Sequence, residues 1–161
     1  MSCEVIFHRG PQIEVGEVRC SPDDPDLAVL GPIRSWCVSF PRLPLELRTG
    51  GRSGFVADGS TALVLAPGAV LDRKALSGNG SRCQWFALTD SLVDEARASS
   101  RRSRGDLFDP AASITLGKSP ALTLLERRLF RRAAGTCAGD ADLSELACSV
   151  LDSILIARAP A

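Results

Sequence analysis

Between residues 34 and 88 the chain is a succession of short apolar runs broken by Gly, Pro, Asn and Asp: Trp36-Cys37-Val38-Ser39-Phe40, Thr61 to Ala66, Val70 to Leu76 and Arg82 to Leu88. Runs of that length, closed off by turn formers, cannot be helices of ordinary length and read as strands of a small antiparallel sheet or barrel. Ser77-Gly78-Asn79-Gly80 marks a hairpin, since Asn and Gly tolerate positive φ. Gln12 to Cys20 alternates as a half-buried strand, and Ser21 to Asp26, with two prolines and three aspartates, reads as a loop. Leu45 to Thr49 is another strand, followed by a Gly50-Gly51 turn, and Ser113 to Leu116 adds a further candidate. The expectation is seven or eight strands.

After Leu88 the period lengthens. Thr89 caps a helix from Asp90 to about Ala98. Ser119-Pro120 places an N-cap residue ahead of Pro at the first helical position, opening a helix with Leu122, Leu125 and Leu129 inward and Gly135 at its end. Asp142 with Glu145 reads as a capping box for a last helix carrying Leu143, Leu146, Val150, Leu151, Ile154 and Leu155 at helical spacing. The fold class expected is mainly β with C-terminal helices. Residues 1–88 form an antiparallel β-barrel, and residues 89–161 a helical segment with one possible added strand. A helix pair appended to a closed barrel leaves apolar surface uncovered, which points to a homodimer through outward leucines such as Leu129 or Leu151.

Charge removes one class of function. Nineteen basic and nineteen acidic residues in 161 give a formal net charge of zero, without the basic surplus of a nucleic-acid binder. The N-terminus has no basic segment ahead of a long apolar one, and no stretch approaches the ~18 apolar residues of a membrane span. A cytoplasmic protein with no membrane contact is expected. Six separated cysteines then default to free thiols.

Several local motifs in order carry a resemblance: Val18-Arg19-Cys20, Val38-Ser39-Phe40-Pro41-Arg42, Phe55-Val56-Ala57-Asp58, Ala66-Pro67-Gly68, Arg73, and Gly80-Ser81-Arg82-Cys83-Gln84-Trp85-Phe86, followed by Leu124, Glu126-Arg127-Arg128-Leu129-Phe130. Together, over about residues 13 to 157, they resemble the cupin-like N-terminal sensor and dimerisation domain of AraC/XylS-type transcription regulators. Members of that subgroup often carry Gly-Asp where this chain has Gly80-Ser81. The resemblance implies a cupin-like barrel that senses an effector without catalysis. It also implies helices that support dimerisation, and DNA contact only through a downstream helix-turn-helix domain that these residues do not include.

The candidate site residues follow. Trp36, Cys37, Arg73 and Trp85 are expected to line a ligand cavity, Arg73 (and Arg42) as an anchor for a carboxylate or as an ordinary solvated strand-face arginine. Cys83 and Trp85 share a strand face, and Cys20 is expected on the opposing wall. Soft thiol ligands suit a thiophilic metal or a reversible disulfide, so Cys20 and Cys83 form an alternative metal or redox sensor; equally, each can be a small core residue. The effector is thus a small molecule or a metal, with no cofactor named. A metal-dependent cupin-like enzyme is the weakest alternative. It needs several His ligands, and the chain has only His8, expected at a surface or strand edge. No catalytic residue is assigned. The run Arg101-Arg102-Arg104 reads as a solvated basic loop.

Overall fold

The structure, a computed structural model, describes residues 2–49, 54–99, 114–135 and 138–158. Its elements in chain order are β1 (Ser2–Arg9), β2 (Ile13–Cys20), the single turn α1 (Pro25–Ala28), β3 (Val29–Leu30), β4 (Trp36–Pro41) and β5 (Leu45–Thr49). There follow β6 (Phe55–Ala57), β7 (Thr61–Leu65), β8 (Leu71–Ala75), β9 (Ser81–Leu88), α2 (Asp90–Ser99), β10 (Ile114–Gly117), α3 (Pro120–Ala133) and α4 (Asp140–Arg158). The mainly β, antiparallel architecture with C-terminal helices is the one expected from the apolar runs and the longer period that follows them. Among the described residues there are ten strands rather than seven or eight. The additional ones include β1, which Gly10-Pro11 closes, and the two-residue β3. The expected loop over 21–26 gives way to α1 at Pro25.

The strands form two antiparallel sheets, one in the order β1-β2-β9-β4-β7-β10 and one in the order β3-β8-β5-β6. Side chains alternate across a strand, so each strand of the six-stranded sheet feeds two different cores. Ile13, Val15, Trp36, Val38, Phe40, Ala62, Val64, Phe86 and Leu88 face the helices, where they meet Leu122, Leu129, Phe130, Leu143, Ala147 and Val150. The residues between them face the second sheet, where Cys20, Leu63 and Leu65 join Leu45, Leu47 and Leu71, with Val18 and Cys37 packed against them. The molecule is therefore layered, helices on sheet on sheet. The central sheet is covered on both sides, which is why β7 is buried at all five positions instead of alternating apolar and polar.

α3 starts as the sequence dictates: Ser119 Oγ accepts the Leu122 N–H at 3.1 Å, and Pro120 follows it. α4 begins at Asp140, two residues before the expected capping box, so Asp142 and Glu145 lie inside the helix. His8, expected at a surface or strand edge, sits on β1, and its Nε2 meets Asp140 Oδ1 at 3.1 Å, tying the edge strand to the start of α4.

Both expectations about outward leucines fail. Leu129 is 0% exposed and Leu151 1%, because the helices lie flat on the six-stranded sheet and their apolar stripe is the roof of its core. Among the described residues the exposed large apolar side chains on these helices are Leu124 and Ile156. The Gly50-Gly51 turn, Arg101, Arg102, Arg104 and Cys137 lie outside the described residues.

Candidate functional site

A cavity of about 370 Å³ lies between the two sheets. The six-stranded sheet contributes Val18, Cys37, Ser39, Leu63, Leu65, Cys83, Trp85 and Ala87, all on one face, and the four-stranded sheet answers with Leu45, Leu47, Leu71 and Arg73. Residues 30–35, between β3 and β4, close one side; Ile33 holds that segment through its N–H to Ala69 O at 2.9 Å and its carbonyl from Gly68 N at 2.7 Å. Glu4 and Glu14 stand at the β1–β2 side, and Glu14 accepts from Arg9 Nη2 at 2.7 Å. The volume falls near the lower end of the ~300–1,000 Å³ range of small-molecule sites, and a largely aliphatic wall with a few polar groups is the usual character of such sites.

Of the expected site residues, Cys37, Arg73, Cys83 and Trp85 border this cavity and Trp36 does not. Strand parity explains the exception. Trp36 and Cys37 are neighbours on β4 and must point to opposite faces, and Trp36 goes to the helix-side core, 5% exposed. Cys20 also stands apart from the arrangement expected. It is not on an opposing wall but on β2, next to β9, where it pairs with Ser81 while Val18 pairs with Cys83. Cys20 and Cys83 are thus diagonal neighbours on one sheet face, both buried and both free thiols. Among the described residues no group of three or more His, Cys, Asp and Glu could hold a metal ion.

The cavity thiols are protonated at neutral pH. Burial pushes Cys83 up to about 11, against the pull of a hydrogen bond with Ser39 and the charges of Arg73 and Arg42. Ser39 Oγ and Cys83 Sγ are 2.8 Å apart. Burial likewise raises Cys37 far above its ordinary value, with the nearby Cys83 adding to the effect.

The sequence reading missed Gly16, Val18, Ser39, the leucines of both sheets and the 30–35 segment. Gly16 did leave a signal, since a lone glycine inside an alternating strand marks a close approach. It pairs with Trp85, and a Cβ there would fall 2.9 Å from Trp85 Cζ2.

On the opposite face of the same strands a polar chain leads away from the cavity. Glu17, 2% exposed, accepts from Arg19, Arg82 and Gln84; Gln84 accepts from Arg42; and Arg42 Nη2 lies 2.7 Å from Oε1 of Glu126 on α3. Arg42, conceived as a carboxylate anchor, is committed to this chain.

No family model matches this sequence, and no curated protein matches it. Solved structures share the fold. Apo ToxT K231A from Vibrio cholerae superposes with a TM-score of 0.68 at 8% identity, over 89% of this chain and 54% of that one. Wild-type ToxT from the same organism, bound to an unsaturated fatty acid, gives 0.59 at 8% identity, over 91% and 56%. ToxT from Vibrio cholerae O395 bound to (E)-4-(8-methylnaphthalen-1-yl)but-3-enoic acid gives 0.60 at 10% identity, over 89% and 56%. The chain spans about half the length of the ToxT chains it resembles.

Proposed function

We propose that this chain is the effector-sensing domain of an AraC-type transcription regulator, without catalysis, and that its effector is a small amphipathic acid held between the two sheets. One observation carries the reading: a cavity walled mainly by Leu45, Leu47, Leu63, Leu65 and Leu71, with Arg73 on the facing sheet. An apolar wall with a guanidinium suits a ligand with an apolar body and a carboxylate end. The fold likeness to ToxT supports it, because the ToxT ligands named above are both acids with apolar bodies. Effector binding shifts an equilibrium only through unequal affinity for two arrangements. The α3–α4 layer, packed directly on the sheet that walls the cavity, is the element we propose to be biased. Dimerisation is assigned to the outer side of that layer, where Leu124 and Ile156 are exposed, and DNA contact to a downstream domain.

The thiol alternative has less support. Cys20 and Cys83 share a sheet face, but burial holds the Cys83 thiol protonated and no third ligand joins them among the described residues.

Thermal unfolding tests the reading. Dodecanoate or naphthylacetate at 100 times its Kd should add about 2.7 kcal/mol of stability. Leu65→Trp, which fills the cavity, should remove the shift, and Arg73→Ala should weaken it for both acids. If neither acid raises the Tm, the cavity is not an acid-effector site.

A further inference from the structure

Trp85 and Gly16 are direct partners across β9 and β2, so both face the cavity. An upright indole here would project into the space between the sheets. Instead it leans sideways over β2. A Cβ at residue 16 would lie 2.9 Å from Trp85 Cζ2, 3.1 Å from its Cε2 and 2.9 Å from the Val5 carbonyl oxygen. Only a residue without a side chain leaves that seat open. The indole resting there forms part of the cavity wall.

The rest of the lining makes this surface distinctive. Trp85 is the one aromatic residue among the described residues that border the cavity, and the large apolar groups around it are aliphatic, mostly leucines. Leucine packs against a flexible chain and a ring alike. An indole adds a preference for another π system, because offset or edge-to-face ring contacts contribute beyond the area they bury. Arg73 borders the same cavity from the facing sheet, so one ligand could present a ring to Trp85 and an acid to Arg73.

We propose that the effector is a planar aromatic carboxylate whose ring lies against Trp85, with Gly16 as the residue that sets the room for it. This rests on the reading of the cavity as the effector site and narrows its ligand class. Trp85 is the specificity-determining group, and Gly16 acts through it by fixing where the indole sits.

The test compares naphthylacetate with decalinylacetate, its saturated counterpart, which has the same carbon skeleton and charge but no flat π face. The full chain is titrated by calorimetry. Fluorescence provides a second readout, since the chain has two tryptophans and no tyrosine, and Trp36→Phe leaves Trp85 as the sole reporter. Naphthylacetate should bind about two- to tenfold more tightly than decalinylacetate and quench Trp85. Trp85→Leu should abolish that ratio while both acids still bind. Gly16→Ala, with its fold checked by circular dichroism, should weaken naphthylacetate by displacing the indole. Equal affinity of the wild-type chain for the two acids, or a ratio that survives in Trp85→Leu, overturns the aromatic preference and leaves the acid-sensing cavity standing. Failure of both acids to bind the wild-type chain overturns the cavity reading and this inference with it.

Discussion

Lys118 Nζ stands 2.8 Å from Glu126 Oε2, with the two side chains 3% and 0% exposed. Lys118 follows β10 and Glu126 sits mid-way along α3, so the pair pins the helix to the last strand of the six-stranded sheet. The Phe40 ring lies 5.6 Å below the ammonium, and Phe130 meets the same ring edge-on at 5.9 Å. The contact therefore joins the sheet, the edge strand and the helix at one point.

Removing one partner should hurt more than removing both. Glu126→Leu leaves a buried ammonium without its carboxylate, and a loss of about 3–5 kcal/mol is expected. The double variant Lys118→Met with Glu126→Leu should recover part of that loss, because the more deeply buried ammonium goes with its carboxylate, while Arg42, 26% exposed, keeps its hydrogen bond to Gln84. Urea unfolding of the four proteins closes the cycle. Strictly additive losses from Lys118→Met and Glu126→Leu would show that the pair is not coupled.

Glu17 predicts an acid-sensitive contribution to stability. Burial alone raises its pKa, but hydrogen bonds from Arg82, Arg19 and Gln84 outweigh that and the net shift is downward. A folded-state pKa below the unfolded one means the contribution is complete above the unfolded value, ~4.3 for glutamate. It is lost as pH falls through the lowered folded value. Glu17→Gln should thus be less stable than wild type at pH 7, and the gap should close steadily below about pH 5. Urea midpoints measured from pH 7 down to pH 3 check it, and a gap independent of pH would contradict the assignment.

Particular residues show what the sequence disclosed. The apolar runs and turn formers were enough for β4, β7, β8 and β9, and Ser119-Pro120 marked the start of α3 to the residue. Facing was harder. In Trp36-Cys37-Val38 both faces of the strand are buried, so hydrophobicity does not say which one meets the cavity, and Trp36 was placed on the wrong side. Leu129 and Leu151 read as outward in the sequence because a closed barrel offers the helices little area. The six-stranded sheet instead presents a broad apolar face. Glu126 falls in the buried stripe of α3 between Leu122 and Leu129, four residues after one and three before the other. That position hints at a buried charge, but its partners Arg42 and Lys118 come from distant segments and no local pattern names them.

The helix faces give a prediction about self-association. Leu129 is a core residue, so Leu129→Ala should cost about 2–5 kcal/mol and Leu129→Glu should prevent folding. Leu124→Glu and Ile156→Glu alter exposed positions and should leave the fold intact. If the outer side of the α3–α4 layer is the dimer surface, these two substitutions should convert dimer to monomer in sedimentation experiments while the circular dichroism spectrum stays unchanged. A folded, monomeric Leu129→Glu protein would contradict the packing described above.

Thiol reactivity should separate the cavity cysteines from the surface one. Cys3 is exposed on β1, whereas Cys83 is buried with a pKa pushed up to about 11, so roughly one Cys83 in a thousand is thiolate at pH 8. Cys37 is shifted in the same direction, and Cys20 is buried in the inter-sheet core. In a Cys137→Ser background, brief alkylation at pH 8 followed by peptide mapping should find Cys3 modified first, with Cys20, Cys37 and Cys83 modified only after denaturant is added. An amphipathic acid bound between the sheets should slow Cys37 and Cys83 further and leave Cys3 unchanged, because only those two border the cavity. If Cys83 labels as fast as Cys3 in the native protein, the cavity is open to water and the thiol is activated. The thiol-based sensor using Cys20 and Cys83 would then become the better account of this site.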